Sequence, residues 1–181
     1  ATESINLVAE SWGYDNLNSG DVILLTDMEH HSNIIPWQII CKKTGAKIKY
    51  IRSTENGTIN LEDLKKSLDS NVKIVSITHA SNVFGTINPV KEITNIVKKN
   101  GSKIMIDGCQ SIPHMKVNVK DLDCDFYAFS GHKMFGPTGV GVLYGKEEIL
   151  EEMQPYQTGG GIIETVTMTE STWTSIPHKF E

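Results

Sequence analysis

Residues 72–78 read VKIVSIT, and this run predicts a β-strand buried inside a sheet. Asn88-Pro89 then opens a helix, with the asparagine as its cap and the proline in its first turn. The helix ends at Asn100-Gly101, and its apolar stripe consists of Val90, Ile93 and Val97. A buried strand followed by an amphipathic helix is typical of a sheet with parallel strands.

The same alternation runs along the rest of the chain. Further strands are predicted over residues 22–25, 46–51, 104–106, 124–129 and 140–144. Further helices are predicted over residues 34–43, from Leu61 to Leu68 with Asn60 as the cap, and over residues 147–153. This order predicts an α/β fold, a three-layer sandwich with a mostly parallel central sheet.

The composition argues against several classes of protein. Apolar residues make up 39% and charged residues 22%, which is the balance of a globular domain. The net charge of -5 argues against a nucleic-acid-binding protein. No apolar run approaches the roughly 20 residues of a membrane span, and no secretory signal is visible. Cys41, Cys109 and Cys124 form no Cys-x-x-Cys pair, which favours free thiols in a reducing compartment.

Polar side chains follow four of the predicted strands. In chain order, these strands are followed by His30, by His79 and Asn82, by Asp107, and by the run Ser130-Gly131-His132-Lys133. In open α/β sheets, ligands bind beyond the carboxyl ends of the strands. The sequence therefore predicts one shared site at this edge of the sheet.

These side chains match the groups that pyridoxal phosphate (PLP) needs. A lysine must bond to the aldehyde, and a carboxylate must keep the pyridine nitrogen protonated so that the ring acts as an electron sink. An aromatic group should cover the ring, and hydroxyls or a helix N-terminus should hold the phosphate. The sequence offers Lys133, Asp107 and His30 for the first three roles, and Thr2, Ser130 and His132 for the phosphate.

Competing chemistries lack their motifs. The glycines of residues 136–141 (GPTGVG) have the wrong order for a dinucleotide-binding fingerprint. The chain contains no Walker A motif and no G-x-S-x-G nucleophile elbow. His30 and His31 are adjacent and would point apart on a regular element, which argues against a zinc pair.

Four runs of the sequence carry a family resemblance. They are residues 28–38 (MEHHSNIIPWQ), 78–85 (THASNVFG), 107–110 (DGCQ) and 130–141 (SGHKMFGPTGVG). Together they resemble the cysteine desulfurases, which are class V aminotransferase-like PLP enzymes of fold-type I. The Ser-Gly-His-Lys and Gly-Pro-Thr-Gly runs look like the SUF-type group, and the resemblance covers essentially the whole chain.

The resemblance implies a role for each site residue. Lys133 resembles the Schiff-base lysine and proton shuttle, Asp107 the pyridinium partner, and His30 the imidazole stacked on the ring. Gln110 looks like the group bonded to the ring oxygen, and Asn82 like a contact near that oxygen and the substrate carboxylate. Thr2, Ser130 and His132 resemble phosphate ligands.

The implied reaction converts L-cysteine to L-alanine and leaves the sulfur as a persulfide on an enzyme cysteine, for iron–sulfur cluster assembly. The family is built as homodimers, and a sulfur-acceptor protein is expected. Neither nucleic acid nor membrane is an expected partner, and no metal is expected. Cys41, Cys109 and Cys124 do not match the position of the catalytic cysteine, and Cys109 stands where the family usually has a small residue such as Ala.

We expect the chain to be an internal piece of a longer protein. Residues 1–181 would form the PLP-binding large domain, incomplete at both ends and without the C-terminal small domain. The persulfide cysteine and the arginine that binds the substrate carboxylate would then lie outside these residues. A bacterial cytoplasm and a plastid-type organelle both suit such an enzyme.

Each assignment has a structural alternative. Lys133 alone reads as a surface lysine, Asp107 and Asn82 as turn formers, and His30 as a buried and satisfied histidine. His79 reads equally well as structural or functional. At the level of function, the alternatives are a selenocysteine lyase, another class V aminotransferase-like enzyme, or a non-catalytic scaffold of the same fold.

Overall fold

A computed structural model describes residues 1–181. The strands are β1 (Val22–Thr26), β2 (Lys47–Ile51), β3 (Val72–Thr78), β4 (Lys103–Asp107), β5 (Phe126–Ser130), β6 (Gly141–Gly145), β7 (Ile163–Val166) and β8 (Ser171–Trp173). The helices are α1 (Thr2–Leu7), α2 (Tyr14–Asn16), α3 (Ile35–Thr44), α4 (Leu61–Ser67), α5 (Val90–Lys99), α6 (Val119–Leu122) and α7 (Glu147–Glu152). A π-helical segment, Val8–Gly13, joins α1 to α2.

Six strands form the central sheet in the order β2-β1-β3-β4-β5-β6. The first five strands in this order pair in parallel, and β6 runs antiparallel to β5 at one edge. The predicted α/β fold with a mostly parallel central sheet is therefore confirmed. Parallel pairing brings the carboxyl ends of β1, β3, β4 and β5 to one edge of the sheet.

The core lies on both faces of this sheet. One apolar cluster contains Leu24 and Val75, and the other contains Leu25 and Ile74 on the opposite face. Successive strand residues point to opposite faces. All five residues of β1 are buried, as are six of the seven in β3. Because both faces of these strands are covered, nearly every position favours an apolar residue, and the two strands appear in the sequence as nearly continuous apolar runs.

Two local predictions differ from the structure, and one hairpin was not predicted. Asn88 does not cap α5; its side chain instead accepts the Ile59 N–H at 3.0 Å and donates to the Thr78 carbonyl at 3.0 Å. β5 begins at Phe126 rather than at residue 124, because the carboxylate of Asp125 takes up the backbone N–H of Ile104 at 2.8 Å. The hairpin of β7 and β8 was not predicted.

None of the helices is long and apolar enough to cross a membrane.

The turn that follows β4 packs tightly on β5. Gly108 donates its N–H to the Ala128 carbonyl at 2.8 Å, and a Cβ added at Gly108 would overlap the ring of Tyr127. The ring has no room to move, because its hydroxyl is bonded to His79 Nδ1 at 3.0 Å and to Ser111 Oγ at 2.6 Å. Glycine is therefore required at residue 108 for close approach rather than for backbone freedom.

Gly108→Ala should destabilise the natural protein that contains this chain by about 1–3 kcal/mol, because either the turn or the Tyr127 ring must shift. Thermal unfolding, followed by circular dichroism, measures the effect. Gly159→Ala is the matched control, since a Cβ there meets no atom within 4 Å. An unfolding temperature for Gly108→Ala equal to that of the control would show that the contact is not rigid.

Candidate functional site

A cavity of about 210 Å³ lies at the edge of the sheet where β3, β4 and β5 end. All eight residues to which the resemblance assigns a role line it: Thr2, His30, Asn82, Asp107, Gln110, Ser130, His132 and Lys133. A second space of about 790 Å³ adjoins it and shares Ala1, Thr2, Ser130 and His132. The Asp107 carboxylate, the Lys133 amine and the His30 imidazole line only the smaller of these two spaces, which is therefore the candidate site.

Asp107 is the last residue of β4 and is buried, with 6% of its surface exposed. Its Oδ1 accepts the backbone N–H of Cys109 at 2.9 Å, and this is the one hydrogen bond that its carboxylate makes. No cation of the chain pairs with it. A buried carboxylate with one oxygen unpaired suits a positively charged partner in the cavity.

Lys133 lies in the short 3₁₀ turn, Gly131–Met134, that follows β5. The turn is closed by the Gly136 N–H, which donates to the Gly131 carbonyl at 2.9 Å. Lys133 is half-buried, and its Nζ makes no hydrogen bond and no ion pair within the chain. The amine therefore lies at the cavity without a protein partner.

His30 caps the 3₁₀ turn His31–Asn33 with its imidazole. Its Nδ1 accepts the backbone N–H of Ser32 at 3.1 Å and lies 3.1 Å from the Ser32 hydroxyl. Because a backbone N–H only donates, Nδ1 is the unprotonated nitrogen and the neutral ring carries its proton on Nε2. No role was assigned to Ser32 from the sequence. The signal for it is its position two residues after His30, because a polar side chain often accepts the backbone N–H two residues further on, as in an Asx turn.

Hydroxyl groups form the wall of the cavity near the chain's first helix. The Thr2 hydroxyl lies 2.9 Å from that of Ser32, and Ser130 contributes a further hydroxyl to this wall. His132 lines the same wall. The wall thus offers hydroxyl and imidazole hydrogen-bond donors to an anion.

The loop after β3 carries Asn82, and its turn does not depend on that side chain. Ser81 Oγ accepts the backbone N–H groups of Val83 and Phe84 at 3.2 and 3.1 Å. Asn82 is exposed and makes no side-chain hydrogen bond within the chain, and Gln110 lines the same cavity, also without one. Both amides are therefore available to a ligand.

His79 lies behind the site rather than in it. It is buried, it does not line the cavity, and its Nδ1 is bonded to the Tyr127 hydroxyl. Burial lowers the pKa of its imidazole. Of the two alternatives that the sequence left open for His79, the geometry favours the structural one.

Glu29 is a buried carboxyl that the sequence did not single out. Burial raises its pKa to about 7, against the opposing effect of hydrogen bonds from Thr26, Asn33 and the Thr78 backbone; the charge of Asp107 raises it further. Cys109 also borders the cavity, and burial followed by the charge of Asp107 raises the pKa of its thiol to about 11. At neutral pH the Cys109 thiol therefore stays protonated and is a poor nucleophile.

The comparisons with known proteins agree over the whole chain. Residues 1–181 match the family described as Aminotransferase class-V. A probable cysteine desulfurase of Halalkalibacterium halodurans is 56% identical over 99% of this chain and 44% of its own length. A cysteine desulfurase of Haloferax volcanii is 52% identical over 99% of this chain and 42% of its own length.

Solved structures agree with these sequences. The cysteine desulfurase CsdA from Escherichia coli superposes with a TM-score of 0.96 at 38% identity, covering 99% of this chain and 45% of that one. A cysteine desulfurase from Thermococcus onnurineus gives a TM-score of 0.92 at 42% identity, with the same coverage. The chain thus spans less than half the length of the relatives that it matches. Members of this family are PLP enzymes. The chain belongs to the class V aminotransferase family, and the relatives that it matches are named cysteine desulfurases.

Proposed function

We propose that this chain forms the PLP-binding part of a SUF-type cysteine desulfurase. In the natural protein, the enzyme would convert L-cysteine to L-alanine and pass the sulfur to an enzyme cysteine as a persulfide, for iron–sulfur cluster assembly. Residues 1–181 would belong to the large domain. One observation carries the proposal: the lysine, the carboxylate, the imidazole and the hydroxyls that PLP needs converge on one cavity.

The residues around the cavity fit PLP in their chemistry. The Lys133 amine has no protein partner, and Asp107 has a carboxylate oxygen free of hydrogen bonds. Lys133 would hold the cofactor covalently, and Asp107 would keep a proton on its pyridine nitrogen. Thr2, Ser130 and His132 would bind the phosphate, and Gln110 the ring oxygen. When bound, PLP supplies an electron sink for negative charge on the substrate α-carbon.

The remaining work belongs to side chains of this chain. Lys133 Nζ would remove and return the proton at the substrate α-carbon. His30 would cover the ring, and its Nε2, which carries the proton in the neutral ring, can donate to the substrate. Asn82, with its amide free at the rim, would bind the substrate carboxylate. None of these groups needs to break a strong internal contact first.

The persulfide is proposed to form on a cysteine outside these residues. Burial raises the pKa of the Cys124 thiol to about 12 and that of Cys109 to about 11. Burial also raises the pKa of Cys41, which lies in α3. Since the thiolate is the nucleophile, none of the three is suited to accept sulfur at neutral pH.

A homodimer and a reducing compartment complete the proposal. The loops that carry Asn82 and Lys133 also expose large apolar side chains, namely Val83, Phe84, Ile87, Met134, Phe135 and Val140. Exposed apolar groups in one region favour a protein partner, and we propose a second copy of the protein. All three cysteines are free thiols, which suits a bacterial cytoplasm or a plastid-type organelle. A separate sulfur-acceptor protein is proposed as the next partner.

The overall proposal is tested by turnover of the natural protein. Purified with PLP, it should release L-alanine from L-cysteine, with sulfide appearing in the presence of a reductant. L-Selenocysteine and simple amino donors, offered in parallel, distinguish a desulfurase from a selenocysteine lyase or an aminotransferase. Transamination without alanine release from cysteine would refute the desulfurase function.

Lys133→Ala should lower alanine formation by about a thousandfold or more while leaving the fold intact, because both the covalent link and the proton carrier are lost. Steady-state kinetics and far-ultraviolet circular dichroism measure the two effects. Lys116→Ala is the matched control, since Lys116 is exposed and unpaired. Turnover retained in Lys133→Ala would remove this residue from its role.

Asp107→Asn should slow proton removal from the substrate by about a hundredfold or more, because a neutral amide does not stabilise a protonated pyridine nitrogen. Exchange of the α-proton of the substrate with deuterated solvent measures this step. Asp121→Asn is the control, because Asp121 is exposed on α6. An unchanged exchange rate in Asp107→Asn would contradict the pyridinium assignment.

A further inference from the structure

Glu29 is a carboxyl group in the interior that none of the proposed chemical steps uses. Both of its oxygens are engaged: Oε1 accepts the Thr26 hydroxyl at 2.5 Å and the Thr78 N–H at 2.9 Å, and Oε2 accepts Asn33 Nδ2 at 2.7 Å. No cation pairs with it. Burying a carboxylate without a cation is costly unless hydrogen-bond donors satisfy it. The three donors therefore offset the cost of burying Glu29.

The three donors come from different elements that end at the cavity. Thr26 is the last residue of β1, Thr78 is the last residue of β3, and Asn33 lies in the turn that His30 caps. Thr78 is also in register with Asp107 on β4. Glu29 therefore links the segment that carries His30 to the strand that lies beside Asp107.

Asn33 continues the link and fixes its own orientation. Its Oδ1 accepts Trp37 Nε1 at 3.1 Å and the Ser76 hydroxyl at 2.6 Å. An indole N–H only donates, so the atom facing Trp37 must be the amide oxygen, and the NH₂ group must face Glu29. The residue at position 29 must therefore present an acceptor to Asn33 and another to the Thr78 N–H.

A carboxylate meets both demands, and an amide does not. With glutamine at position 29, the NH₂ group would face either the Asn33 NH₂ or the Thr78 N–H, and two donors would oppose each other in the interior. Such a mismatch leaves buried groups unsatisfied. The carboxyl group of Glu29 thus serves a geometric purpose, because both of its oxygens accept hydrogen bonds from the donors that face them.

We propose that Glu29 is a positioning residue for the cofactor site, whose carboxylate fixes the His30 imidazole relative to Asp107 by tying the turn after β1 to the end of β3. The inference rests on the proposed PLP site. It predicts that the donor and acceptor pattern at positions 29 and 33, rather than the bulk of the side chains, controls how the site receives the cofactor.

A compensating pair of substitutions tests this pattern in the natural full-length protein. Glu29→Gln sets two donors against each other. Asn33→Asp sets two carboxylates against each other at a pH well above the Glu29 pKa of about 7, where the pair holds no shared proton, and the titrations are run there. In the double variant, the NH₂ group introduced at position 29 would donate to the carboxylate introduced at position 33, whose other oxygen still accepts from Trp37 and Ser76. The apoprotein of each variant is titrated with PLP, and the visible circular dichroism of the bound cofactor is recorded.

Each single variant should weaken PLP binding about tenfold or more and change the visible dichroism, while the double variant should recover to within about threefold of wild type. Glu92→Gln, on the exposed side of α5, should match wild type. PLP affinity and dichroism of Glu29→Gln equal to those of wild type would overturn the inference. A double variant that binds no better than Glu29→Gln would also overturn it.

Two further measurements cover the remaining outcomes. If Glu29→Gln does not fold, Thr26→Val removes one of the three donors; PLP binding weakened about threefold would support the inference, and unchanged binding would overturn it. If the wild-type protein binds no PLP, the proposed function fails by itself. The ¹³Cε1 resonance of His30 in the apoprotein then decides the inference, which requires it to shift in Glu29→Gln and to return in the double variant.

Discussion

The parallel pairing of β3, β4 and β5 is the constraint on which the candidate site depends. Their register places Thr78 beside Asp107 and Asp107 beside Ala128. Residues that are far apart in the chain thereby leave the sheet at one edge, where a cavity of about 210 Å³ collects them. β6 contributes by turning back antiparallel to β5, which folds the 131–140 segment with Lys133 over that edge rather than away from it.

The site combines groups that are free with groups that are fully engaged. The Lys133 amine and one oxygen of Asp107 have no partner within the chain, whereas His30 Nδ1 and both oxygens of Glu29 are held by hydrogen bonds. The free groups are those that the proposed chemistry assigns to the cofactor. The hydrogen bonds of His30 and Glu29 hold the turn after β1 and the end of β3 in place, so that little rearrangement is needed when a ligand enters.

The sequence predicted the strands and the facing groups because these depend on local patterns. Buried parallel strands require apolar runs. Asp107 directly follows one such run, and Lys133 lies in the short segment after another. The role of Asn88 was predicted wrongly. Asparagine often caps a helix, but the Asn88 side chain instead bonds to the Ile59 N–H and the Thr78 carbonyl, which only the folded chain brings near. Glu29 was missed for the same reason: its donors come from residues 26, 33 and 78, and no spacing in the sequence shows that they converge.

The central claim is that Lys133 binds PLP in this cavity. It is tested most directly by reducing the natural protein with borohydride in the presence of PLP and locating the phosphopyridoxyl group by peptide mass spectrometry. The account predicts a single modified lysine, Lys133, and loss of the visible absorbance on reduction. A protein that stays colourless with added PLP, or one whose modification lies on exposed lysines such as Lys116, would contradict it.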